Sequence, residues 1–138
     1  MDATRQLLEV YALASGGDQD AYTWLLMWHG WCHRIDDYID EPGHPACEVV
    51  DLCSDGVLLC SSGFYRRHAE ALGPALATVA EQYLASNRAL GTVLADALRI
   101  AGNQVVLLVA YLTGGRPLVR MVSDRLWPIV EATQLTPE

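Results

Sequence analysis

Trp24, Trp28, Trp31, Ile35 and Tyr38 follow one another at steps of four, three, four and three residues. A strand would scatter these side chains over both of its faces, whereas a helix gathers them on one. Residues 20–41 are therefore expected to form a helix with a wide aromatic face. Such a face is stable only against other elements, so the chain has to supply neighbours that cover it.

The rest of the chain supplies helices. "ATRQLLEVYALAS" carries leucine and valine at helical spacing and stops at Gly16-Gly17. Asp18 or Asp20 is placed to cap the next helix, which runs to about Glu41 and ends at "EPGHP". A third helix is expected from Ala46, with a break near Ser61–Gly63, and Pro74 suits the first position of a helix over "ALATVAEQYLAS". A long apolar helix follows from about Ala89 to Leu112, ended by Gly114-Gly115. The last helix covers "PLVRMVSDRLWPIVEA", where Pro128 kinks or stops it. No alternating strand pattern and no internal repeat occurs. The expectation is a single all-α domain over residues 1–138, a bundle of five or six helices.

Composition narrows the function classes. The chain has 51% hydrophobic and 19% charged residues, a globular balance, and a formal charge of -8. All its cations are arginines. An acidic chain of this kind lacks the basic footprint that nucleic acid or an anionic membrane requires. "MDATRQLLEV" has neither the basic nor the apolar region of a signal peptide, and the longest apolar run, "VVLLVAYL", is too short for a transmembrane segment. Cysteines at 32, 47, 53 and 60 form no CxxC pair. They are expected to be reduced thiols of a cytoplasmic protein, packed as small hydrophobes rather than holding zinc. The amount of apolar surface on so short a chain points to a homodimer.

Opposite the aromatic face lie His29, His33, Asp36, Asp37 and Asp40, within roughly a third of the helix circumference. Steps of three and four let neighbouring side chains converge. The carboxylates, with Glu41, sit at the C-terminal end of the helix, where the dipole disfavours anions. A divalent cation would relieve that repulsion. Aspartate oxygens suit Mg2+; adding His29 and His33 would suit Mn2+, zinc or iron. The competing reading is an ordinary solvated face.

"Asp36-Asp37-Tyr38-Ile39-Asp40-Glu41", closing an aromatic-rich helix, resembles the first DDxxD motif of the class I isoprenoid and terpenoid synthases, in a shortened form. The resemblance implies a terpenoid-synthase-like helical core and Mg2+ held by Asp36, Asp37 and Asp40, with Glu41 an outer participant. The ions would grip the diphosphate of a prenyl substrate. It covers some twenty residues, in a chain about half the usual length of that family, and no second acidic motif is spelled out. Thr92, Asp96, Arg99 and Asn103 form one polar stripe on the long apolar helix. Asp96 and Asn103 are candidate ligands from a facing helix and Arg99 a phosphate contact; an internal Asp96–Arg99 pair is the alternative. Arg66 and Arg67 are further candidate diphosphate contacts, or else a solvated helix end.

The turn at Pro42-Gly43 allows an antiparallel hairpin in which Asp37 and Asp40 would face Glu48 and Asp51. Paired acidic motifs on adjacent helices also resemble the all-α nucleoside triphosphate pyrophosphatases. Two more readings stand beside these. One is a non-catalytic dimeric domain showing an acidic surface to a partner; the other is a di-metal centre using His29 and His33, which lacks the Glu-x-x-His signature.

Overall fold

The computed structural model describes residues 2–88 and 100–133. Among them are six α-helices, one 3-10 turn and no strand, the all-α bundle expected from the periodicity. Helix α1 spans Ala3–Ala14, α2 Gln19–Asp40, α3 Ala46–Ser61, α4 Gly63–Arg67 and α5 Ala69–Arg88. The 3-10 turn is Ala101–Asn103, and α6 spans Gln104–Thr133.

Local chemistry sets most of these boundaries. Asp2 caps α1 by accepting from the Arg5 amide at 2.9 Å. The helix ends where Gly16 and Gly17 take left-handed backbone conformations, φ 57° and 83°. Asp18 then caps α2, accepting from the amides of Asp20 at 2.9 Å and Ala21 at 3.3 Å. Ser62 breaks the chain after α3 with ψ 158°, and its hydroxyl accepts from the Tyr65 amide to start α4.

Three boundaries differ from expectation. The 3-10 turn Ala101–Asn103 falls within the helix expected over residues 89–112, of which 89–99 lie outside the described residues. Pro74 lies inside α5, which starts five residues earlier at Ala69. A proline there removes one backbone hydrogen bond, to the carbonyl four residues back, and the helix continues across it. Pro128 likewise lies within α6 and does not stop it. The real interruption in α6 is Gly115, with φ 69° and ψ -165°, so α6 is two helical rods joined at a kink. The Gly114-Gly115 stop read from the sequence corresponds to that kink.

The core gathers Val10, Tyr11 and Ala14 of α1, Trp24, Leu25 and Trp28 of α2, Leu59, Phe64 and Leu72, and the valines of α6. Helices α1 and α6 meet closely. Thr113 donates to the carbonyl of Ala14 at 2.8 Å, and a Cβ on Gly16 would lie 2.9 Å from the Thr113 hydroxyl. Helix α6 is also long and apolar enough to cross a membrane by length and composition, a test that a core helix passes equally. It buries Val105, Val106, Val109 and Ala110 before the kink and Val122, Leu126 and Val130 after it.

The aromatic face of α2 turns towards α3. Trp24 donates its indole N–H to the Leu59 carbonyl at 2.9 Å, and Trp31 donates to the Leu52 carbonyl at 3.0 Å. Residue numbers rise on one helix as they fall on the other, so α2 and α3 form the antiparallel hairpin expected from Pro42-Gly43. Leu59 lies in the last turn of α3, where carbonyls lack a helical partner, and the indole supplies one. Full burial of a ring such as that of Trp24 removes roughly 200 Å² from water, worth about 5 kcal/mol as an upper figure.

Candidate functional site

Helix α2 carries the acidic run, and its two sides meet different partners. On the side facing away from α3, Tyr11 of α1 shares a 3.0 Å hydrogen bond with His29 Nδ1. The His29 and His33 rings meet edge-on with centroids 4.3 Å apart. Further along, the Tyr83 hydroxyl of α5 donates to Asp36. Burial, and then the neighbouring His33, push the His29 pKa down, so this imidazole is held neutral. Burial pushes the Cys32 thiol up to about 12 and raises the Tyr11 phenol as well. Tyr11, His29 and Cys32 are thus uncharged near neutrality, and Cys32 is no nucleophile there.

On the α3 side, Arg34 donates to Asp55 at 2.5 Å. Tyr38 stacks on His44 with centroids 4.0 Å apart and planes 12° from parallel. His44 Nδ1 lies 2.8 Å from Glu48 Oε2. The hydrogen bond to Glu48 raises the His44 pKa most; desolvation opposes it, and the backbone carbonyls of Asp37 and Glu41, with the Glu48 charge, leave the net shift upward. His44 is therefore a titratable cation set at the C-terminal end of α2, where the dipole favours one.

Asp37, Asp40 and Glu41 project from this end and are exposed, as is Asp51 on α3. Among the described residues no arginine or histidine pairs with any of these four carboxylates. The hairpin sets Tyr38 and His44 beside Glu48, while Asp36 turns to α5. Among the described residues, no three His, Cys, Asp or Glu side chains stand close enough together to hold a metal ion as they are placed.

The other candidate residues are dispersed. Arg67 reaches Asp18 and Asp20, both at 3.5 Å, and its guanidinium lies 6.0 Å from the Phe64 ring centroid. That is the opposite end of α2, about 24 Å along the axis from Asp36. Arg67, and Arg66 exposed beside it, stand apart from the acidic end. Asn103 is buried in the 3-10 turn and donates to the Ile100 carbonyl at 3.1 Å. Asp96 and Arg99 lie outside the described residues.

Sequence reasoning missed three participants. Tyr83 is one of many residues on an amphipathic helix, and its meeting with Asp36 depends on how α5 docks. Tyr11 reads as core. Arg34, inside the acidic run, is the one with a usable clue: a lone cation among carboxylates has to pair, and Asp55 is its partner.

The cysteines also differ from expectation. All four are free thiols, but Cys47, Cys53 and Cys60 are exposed on α3 rather than packed, and only Cys32 is drawn inward. Helix α3 fully buries Leu59 alone, and its Val49, Val50, Val57 and Leu58 are exposed.

Comparison with known proteins finds no matching family model, no matching curated protein and no matching solved structure.

Proposed function

We propose that the acidic end of α2 binds a divalent cation and, through it, a diphosphate-bearing substrate, in a protein that works as a homodimer. The observation carrying this reading is a set of exposed carboxylates, Asp37, Asp40 and Glu41, that no basic side chain among the described residues neutralises. The donors are oxygens on unrestrained side chains, the chemistry that Mg2+ and, next, Mn2+ prefer. Asp36, Asp37 and Asp40 would hold the ion, Asp37 and Asp40 turning their carboxylates towards it while Tyr83 fixes Asp36. A cation there also opposes the negative end of the α2 dipole. Once bound, it would neutralise phosphate oxygens and stabilise a departing pyrophosphate.

An apolar groove supports a prenyl-type substrate. A cavity of about 360 Å³ lies between α5 and α6, lined by Pro74, Ala75, Thr78, Val79, Val105 and Leu108 among others. Val79 is one helical turn from Tyr83, so the groove opens roughly 6 Å along α5 from the residue that holds Asp36. The hydrolytic alternative has its own support: the α2–α3 hairpin gathers Glu48 and Asp51 near Tyr38, at the same end as the acidic run.

Titration calorimetry of the full chain with Mg2+, alone and with inorganic pyrophosphate, tests the proposal. Mg2+ should bind, pyrophosphate should bind only with it, and Asp37→Asn with Asp40→Asn should lose both by at least tenfold. Absence of any Mg2+ binding overturns it and leaves the acidic surface as a contact for a protein partner. Pyrophosphate release from prenyl diphosphates, set against release from nucleoside triphosphates, separates the two chemistries.

A further inference from the structure

Helix α3 is the outlier of the bundle. Val50 is 61% exposed and Val57 67%, and Cys53 and Cys60 are exposed with them. These are not scattered positions. Ala46, Val50, Cys53, Val57 and Cys60 advance by four, three, four and three residues, the a/d register of a two-stranded coiled coil, with valine at both a positions. The flanking positions are Cys47, Val49, Ser54, Gly56 and Ser61, so no charge borders the seam. The carboxylates of α3 lie outside the seam: Asp55 pairs with Arg34, Glu48 with His44, and Asp51 is exposed one position past Val50, neither in the seam nor at its flanks.

We infer that this face of α3 is the surface on which a second copy of the chain docks, its seam packed against the same seam of the partner about a two-fold axis. The inference rests on the homodimer reading above and assigns its surface. Charge chooses the occupant. A chain of formal charge -8 repels its own copies, and it does so least along an uncharged stripe; here that stripe is also apolar. A basic partner would be met by acidic edges, and an anionic lipid surface by arginines; the seam has neither. The pair we infer is parallel, an arrangement in which β-branched residues at a suit two strands and which sets Cys53 against Cys53 and Cys60 against Cys60 of the other copy. Four and a half turns of one helix supply less than the roughly 800 Å² per partner of a standard interface, so the dimer is reversible, with a micromolar Kd.

Sedimentation velocity of the full chain in reductant, from low to high micromolar concentration, should show monomer giving way to dimer. Val50→Asp with Val57→Asp should stay monomeric throughout, with an unchanged helical circular dichroism spectrum because both side chains are exposed. Diamide then reads the register: two Cys53 thiols each lose a proton and an electron to it, forming one disulfide as the diamide is reduced to its hydrazine. A variant with Cys47→Ser and Cys60→Ser, which keeps Cys53, should give a covalent dimer. One with Cys53→Ser and Cys60→Ser, which keeps Cys47, should not. A monomer at every concentration overturns both the homodimer reading and this surface. A dimer that survives the two aspartates, or that crosslinks through Cys47 as well as through Cys53, overturns the surface alone.

Discussion

The two ends of α2 both carry aspartates, and the physics of the two ends is opposite. At the start, Asp18 accepts two backbone amides and Asp20 sits in the first turn, where the dipole welcomes a negative charge. Arg67 stands over both. At the finish, Asp36, Asp37, Asp40 and Glu41 meet the negative end of the dipole; one accepts from Tyr83, and among the described residues no arginine or histidine pairs with the carboxylates of the rest. The first pair of acids helps the helix begin. The second group opposes the dipole of the helix it terminates, and of its side chains only that of Asp36 is tied to another helix among the described residues. Acidic residues that stability does not explain are where function should be sought.

That contrast is open to attack by mutation. The largest effect belongs to the helix start: Asp18→Ala should lower stability by about 1 kcal/mol, or roughly 3–5 °C in Tm for a chain of this size, read by thermal unfolding. An unchanged Tm would mean that the cap is ornamental and the ends are alike. Next comes the finish, with the opposite sign. Asp37→Asn with Asp40→Asn should raise stability by a few tenths to about 1 kcal/mol at low salt, measured by urea unfolding without divalent cations. A loss there would show that these carboxylates are structural after all.

The smallest effect is that of His44. Its folded pKa is raised, first by Glu48 and then by the carbonyls of Asp37 and Glu41, so the protonated form stabilises the fold. The contribution is fully present below the ordinary histidine value of about 6.5 and fades as pH rises through the raised value. The gap in urea midpoint between the native chain and His44→Gln should therefore shrink from pH 5.5 to pH 9. A gap that widened with pH would reverse the assignment.

Features of α2 that depend only on near neighbours were legible in the sequence. The tryptophan spacing predicts which side is buried, Asp18 or Asp20 reads as a cap, and Pro42-Gly43 reads as a hairpin turn. What could not be read is which helix meets which face. The wheel separates His29, His33 and Asp36 from the tryptophans, but nothing in the spacing places Tyr11 against His29 or Tyr83 against Asp36. Arg67 shows the same limit, since its partners Asp18 and Asp20 lie far back along the chain. Pro74 misled for a different reason: its propensity for the first turn was outweighed by the helix formers Ala69, Glu70, Ala71 and Leu72 ahead of it. On α3 the hydrophobicity of the cysteines was legible but their exposure was not, because that depends on what the bundle leaves uncovered.

The bond from Thr113 to the Ala14 carbonyl joins residues 99 apart, and it fastens the first helix to the kinked last one. During synthesis those intervening residues take roughly 5–20 s to emerge. For all that time the face of α1 bearing Val10, Tyr11 and Ala14 has no α6 to close upon. An all-helical chain normally folds early because its contacts are local; this one must wait for its far end. The nascent first helix is therefore the part of the molecule for which a chaperone would compete.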